Sequence, residues 1–144
     1  MLEENKACAN IDLLRNIKVF HEMTETQLGT YATIYLSPGV NPHSPRYAAV
    51  KNKLSNDLNI FTRTCTKPFV AITGSNGKST LVHLLEAALR AAGYRTIAIG
   101  NNGVPMLDHV DDDVDYFILE LSSYQLELAK PFLCEVAYVS NISQ

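Results

Sequence analysis

Three observations in the 144-residue sequence predict an α/β fold built on a parallel sheet. Short apolar runs at 69–72 (FVAI), 96–99 (TIAI), 116–119 (YFIL) and 136–139 (VAYV) have the length of strands, and the first is as continuously apolar as a strand covered on both faces. Between the first two runs, from Ser79, residues Leu81, Leu84, Leu85, Ala88, Leu89 and Ala92 recur at helical spacing, and Gly93 sits where a C-terminal cap belongs. Strands that alternate with helices favour parallel pairing through right-handed crossovers, and such sheets bind ligands at the carboxyl ends of their strands.

Earlier in the chain the signals are shorter. Ile11, Leu13 and Leu14 suggest a helix end, and 18–20 (KVF) a short strand. A helical turn is expected at 25–30 and a buried strand at 32–36 (ATIYL), ended by Ser37, Pro38 and Gly39. Ser44 followed by Pro45 offers an N-cap with proline at the first helical position, and Ala48, Ala49 and Leu54 continue a modest helix. Residues 56–67 read as a polar, irregular connection. Beyond the third apolar run, which ends in Glu120, a helical turn is expected at 125–129. The acidic run 111–113 (DDD) reads as a solvated loop, because no hydrophobic frame positions it as a metal site.

Composition narrows the function. With 47% hydrophobic and 19% charged residues the chain is an ordinary globular sequence, and 12 basic against 15 acidic side chains leave a charge of −3, no footprint for nucleic acid. Cys8, Cys65 and Cys134 are odd in number and far apart, so they read as reduced thiols. His21, His43, His83 and His109 lack ligand spacing and are assigned no chemistry. No leader pattern and no apolar run of bilayer length is present, so the expectation is a cytoplasmic protein without a membrane partner.

The chemistry concentrates in 73–80 (TGSNGKST), which joins an apolar strand to an amphipathic helix. Gly74 and Gly77 permit positive φ, so successive amides can turn inward around a phosphate, and the helix N-terminus adds partial positive charge. Lys78 brings a full charge for the β- and γ-phosphates and the Ser79 hydroxyl suits magnesium. The match to GxxxxGK[ST] is a variant, since Ile72 stands where the first glycine would be. Glu120 reads either as a strand-terminal glutamate facing solvent or as the acid of a Walker-B strand holding the metal; beside this loop the metal role is the expectation. Asn101 and Gly103, taken alone, read as a tight turn.

Four ordered motifs, LSPGV at 36–40, TGSNGKST at 73–80, GNNGVP at 100–105 and LELSSYQLE at 119–127, resemble the Mur ligases of peptidoglycan synthesis, nearest to the type that adds D-glutamate. The resemblance implies ATP-dependent amide synthesis: phosphorylation of the carboxylate of UDP-N-acetylmuramoyl-L-alanine, then attack by the amine of D-glutamate on the acyl phosphate. It implies that Gly74, Ser75, Asn76, Gly77, Lys78, Ser79 and Thr80 cradle ATP, with Lys78 and Glu120 catalytic and Ser79 and Glu120 on Mg2+. Ser37, Gly39, Asn101, Ser122 and Gln125 match substrate-side positions.

The sequence departs from the family pattern at Asn102, where isoleucine is usual, and at Tyr124, where phenylalanine is commoner. The stretch 53–61 is also shorter than its counterpart. The implied architecture is the tail of a Rossmann-like UDP-sugar-binding domain at 1–44, a connection at 45–67 and the first part of a P-loop NTPase-like central domain at 68–144. The family's glycine-rich start, its Asp-His pair, its carbamylated lysine and its C-terminal domain fall outside these motifs. The expectation is therefore an incomplete, inactive piece of a monomeric ligase; the alternatives are a non-catalytic nucleotide-binding module or another P-loop ATPase.

Overall fold

The computed structural model describes residues 23–37, 39–101 and 103–142, so the helix end at 11–14 and the strand at 18–20 lie outside it. The first region opens with helix α1 (Glu25–Gly29), where the Thr24 hydroxyl and the Gln27 side chain form a capping box. Strand β1 (Ile34–Tyr35) pairs in parallel with β2 (Leu54–Ser55), with Ile34 opposite Leu54. A 3-10 segment (Pro45–Lys53) runs between them. Leu28, Leu36, Tyr47, Val50 and Leu54 form a small core here.

Three expectations need correction in this region. The strand expected at 32–36 pairs over only two residues, and Tyr35 is exposed, because β2 is itself only two residues long. Ser44 makes no side-chain cap, and the segment after Pro45 is 3-10 with a kink at Val50, so Leu54 leaves it as a strand. Most informative is 56–67: it contains helix α2 (Asp57–Thr64), capped by the Asn56 side chain accepting from the Asn59 N–H.

The second region is a four-stranded parallel sheet of β3 (Phe69–Thr73), β4 (Thr96–Gly100), β5 (Tyr116–Glu120) and β6 (Val136–Val139), in the order β4-β5-β3-β6. Period-two alternation divides its side chains between two cores. Ile72, Ala98 and Ile118 meet Val82 and the partly buried Leu81, Leu85 and Leu89 of helix α3 (Lys78–Ala91). Phe69, Ala71, Ile99, Phe117 and Leu119 meet Leu58 and Phe61 of α2, with Met106 and Val114. Helices thus cover both faces of β3, β4 and β5, which is why those strands are largely apolar, whereas the four residues of β6 are exposed. Leu84, counted with the helix's apolar face by spacing, is 63% exposed.

Helix α3 stops in a Schellman motif: Gly93 takes φ +92°, Tyr94 N–H donates to the Leu89 carbonyl and Gly93 N–H to that of Arg90. The turn after β5 is helix α4 (Ser123–Glu127), two residues earlier than expected. Leu128, just past α4, packs on the first region's core, and His43 pairs with Glu127, so the two regions meet at α4. The acidic run is tied down, Asp112 by a hydrogen bond with His109 and Asp113 by ion pairs with Lys67 and Arg95. Among the described residues no helix is long and apolar enough to cross a membrane.

Candidate functional site

The carboxyl ends of β3, β4 and β5 converge because the three strands are parallel and in register. Ile72 and Gly100 both lie opposite Glu120. Beyond Ile72 the chain turns through Gly74, at φ +145°, and Gly77, at φ +80°, before α3 begins at Lys78. Gly77 occupies the N-cap in the left-handed region, and a Cβ there would meet open space. The first intrahelical bond is Leu81 N–H to the Gly77 carbonyl, so the amides of Lys78, Ser79 and Thr80 have no acceptor within the helix. Three donors and a helix N-terminus therefore stand beside one another at the sheet edge, an arrangement suited to an anion.

Lys78 reaches back over the loop, its Nζ donating to the Gly74 carbonyl at 2.7 Å. Glu120 is 2% exposed, which excludes the solvent-facing reading. Its Oε1 accepts a long bond from Asn101 Nδ2 at 3.4 Å, and its buried Oε2 has no partner among the described residues. An unpaired buried carboxylate oxygen is costly unless a cation satisfies it. The Glu120 carboxyl and the Ser79 hydroxyl are hard oxygens, the kind that magnesium takes.

Asn101 is tied to Glu120 twice, since its main-chain N–H also donates to the Glu120 carbonyl at 2.8 Å. Ser122 and Gln125 form a capping box on α4: Gln125 Oε1 accepts from the Ser122 N–H at 3.1 Å, and the Ser122 hydroxyl accepts from the Gln125 N–H at 3.2 Å. Gln125 Nε2 donates to Asp57 on α2 at 3.3 Å. Ser37 and Gln125 line one narrow cleft, and Gly39, Asn41 and Tyr124 border a cavity of about 400 Å³. The structure thus gathers the sequence-derived residues into two groups, the loop with Glu120 and Asn101, and Ser37 and Gly39 with α4. Sequence reasoning missed Asp57, Ser140 and Asn141, which bond to residues of these groups. Their only signal was position at element ends, and which ends meet depends on strand order.

A parallel sheet with helices on both faces and a glycine-turned phosphate-type loop at its carboxyl edge defines a nucleotide-binding α/β fold. The Mur ligase middle domain profile matches residues 72–144. The chain belongs to the Mur ligase family.

Relatives carry the likeness further along the chain. The UDP-N-acetylmuramoylalanine–D-glutamate ligase of Coxiella burnetii (strain Dugway 5J108-111) is 35% identical over 142 residues, 96% of this chain and 31% of that protein. Ligases of the same name from Pseudomonas fluorescens (strain Pf0-1) and Hahella chejuensis (strain KCTC 2396) are 45% identical over 77% of the chain and 39% over 85%. The aligned segments make up 25% and 28% of those two proteins, so this chain spans less than a third of the length of the relatives it matches.

Proposed function

We propose that the protein containing this chain is an ATP-dependent amide-forming ligase that adds D-glutamate to UDP-N-acetylmuramoyl-L-alanine, and that this chain holds the phosphate end of its ATP site. The observation that carries the proposal is Glu120, buried with an oxygen that has no partner among the described residues, at the same sheet edge as Lys78 and the opening amides of α3, which have no acceptor within the helix. The relatives named above support the choice of substrates.

Gly74, Ser75, Asn76, Gly77, Lys78, Ser79 and Thr80 form the cradle, and Ser79 and Glu120 offer oxygens to Mg2+. ATP with Mg2+ supplies an activated phosphoryl group and offsets its charge. The alanyl carboxylate is a poor electrophile; as the acyl phosphate it acquires a leaving group that the D-glutamate amine displaces, releasing phosphate. This chain's part is electrostatic and positional: the Lys78 ammonium and the α3 amides face the negative charge that gathers as the carboxylate approaches. Ser37 and Gly39 are assigned to the nucleotide-sugar side, with Ser122 and Gln125 shaping α4 beside it, and Asn101, bonded to Glu120, is assigned to the same substrate from the loop side.

In domain terms, 1–44 belongs to the UDP-sugar-binding domain, 45–67 is the connection and carries α2 onto the sheet, and 68–144 begins the central domain. The whole protein is assigned to the cytoplasm as a monomer. The test is to give the whole protein ATP, Mg2+ and UDP-N-acetylmuramoyl-L-alanine with each candidate amino acid, and to follow phosphate release and product mass. Release that requires D-glutamate is expected. Coupling of a different amino acid, or ATP hydrolysis indifferent to the nucleotide sugar, sinks the proposal, the latter in favour of another P-loop ATPase.

A further inference from the structure

The phosphate-type loop is gripped by the two residues that follow β6. Because Thr73 lies opposite Val139, the chain leaving β6 runs alongside the chain leaving β3. Ser140 N–H donates to the Thr73 carbonyl at 2.9 Å, and the Asn141 carbonyl accepts from Ser75 N–H at 3.0 Å. The Asn141 side chain then engages both polar groups of the next residue: Oδ1 accepts from Asn76 N–H and Nδ2 donates to the Asn76 carbonyl, each at 3.0 Å. Ser140 Oγ donates to that same carbonyl, also at 3.0 Å. Gly74 makes the approach possible, since a Cβ there would overlap Ser140 Oγ.

One side chain therefore treats Asn76 as a neighbouring strand would, and these bonds hold the limb 74–76 with no ligand bound. That leaves the amides of Lys78, Ser79 and Thr80, on the other limb, as the donors without protein acceptors in the helix. A loop already held in its binding shape does not lose that conformational freedom on association, which favours affinity without a new contact. We infer that Asn141, assisted by Ser140, is a positioning residue of the nucleotide site, acting through Asn76 and not by touching the triphosphate. The inference rests on the reading of 73–80 as a phosphate loop.

Two measurements on the full chain test it, Mg·ADP binding by calorimetry and amide hydrogen exchange without ligand. In Asn141→Ala the Asn76 amide loses its acceptor, whereas the Ser75 amide keeps the main-chain one. Asn76 should therefore lose exchange protection while Ser75 and the β5 amides retain theirs, a pattern that general destabilisation does not produce. Mg·ADP affinity should fall about tenfold. If wild type fails to bind Mg·ADP, the phosphate-loop reading itself falls. If wild type binds and the variant binds equally, or if Asn76 is unprotected in wild type, that reading stands and the role of Asn141 is refuted. Should the variant lose β5 protection, Ser140→Ala, which removes one hydroxyl bond to the Asn76 carbonyl, takes its place under the same binding criterion.

Discussion

Gly100 and Glu120 sit opposite each other in β4 and β5, and a Cβ on Gly100 would overlap the Glu120 carbonyl oxygen. The glycine also takes φ +106°, a conformation that side chains resist, and its N–H donates to the Val104 carbonyl at 2.7 Å. The turn that delivers Asn101 to Glu120 thus depends on a missing side chain. Gly100→Ala should cost about 1–3 kcal/mol of stability and shift the Glu120 backbone. Gly29→Ala is the control, since a Cβ there meets nothing within 4 Å and φ is not positive. Equal urea midpoints for the two variants would contradict the close approach.

Lys78 and Glu120 should give opposite signatures when neutralised. The Lys78 ammonium bonds the Gly74 carbonyl at the loop, so Lys78→Ala should leave stability within about 0.5 kcal/mol of wild type. The same variant should weaken Mg·ATP binding by roughly 100-fold. Glu120→Gln replaces a buried carboxyl oxygen that has no partner among the described residues, so the metal-free protein should gain about 1 kcal/mol while losing the contribution of Mg2+ to nucleotide affinity. Calorimetry beside thermal melts separates these cases; equal heats for wild type and Lys78→Ala would remove the lysine from the site.

Phe61 is the helix residue whose loss should matter most. It is fully buried and meets Phe69 and Phe117 edge-on, with ring centroids 5.8 and 5.5 Å apart. Phe61→Ala should cost about 3–5 kcal/mol, measured by chemical denaturation. A cost below about 1 kcal/mol would mean that α2 is not part of the central core.

Phe61 also shows where the sequence stopped being legible. The strands β3, β4 and β5 and helix α3 announce themselves because apolar runs and 3.6-residue spacing are local properties. Helix α2 shows only Leu58, Ile60 and Phe61 within a polar segment, too few to establish a period, and it forms because tertiary burial outweighs weak local preference. Glu120 was legible as a candidate from its place at a strand end, but its burial was not, since that depends on what covers it. The clasp of Asn141 on Asn76 was hidden for a further reason: it needs β6 beside β3, and nothing local in either strand encodes that pairing.

Arg95 ties the loop before β5 to the start of β4, and its carboxylate partners give the fold a predictable acid response. Its guanidinium bonds Asp113 and Asp115, its main-chain N–H donates to Asp115 at 2.8 Å, and Lys67 reaches Asp113 at 3.0 Å. Hydrogen bonds from Arg95, then from Lys67, hold the Asp113 carboxyl below its ordinary value of 3.8; those from the Arg95 side chain, then its backbone, do the same for Asp115. A carboxyl with a depressed folded pKa binds protons more readily in the unfolded chain. Its stabilisation is therefore complete above 3.8 and lost as pH falls through the lower folded values. Asp113 is open to solvent and Asp115 partly so, and the effect is therefore small and screened by salt. Arg95→Met should melt slightly below wild type at pH 7, with the gap closing as pH drops below 3.8 and narrowing in high salt. A gap that widens with acid would show that Arg95 acts through packing of its stem and not through the two carboxylates.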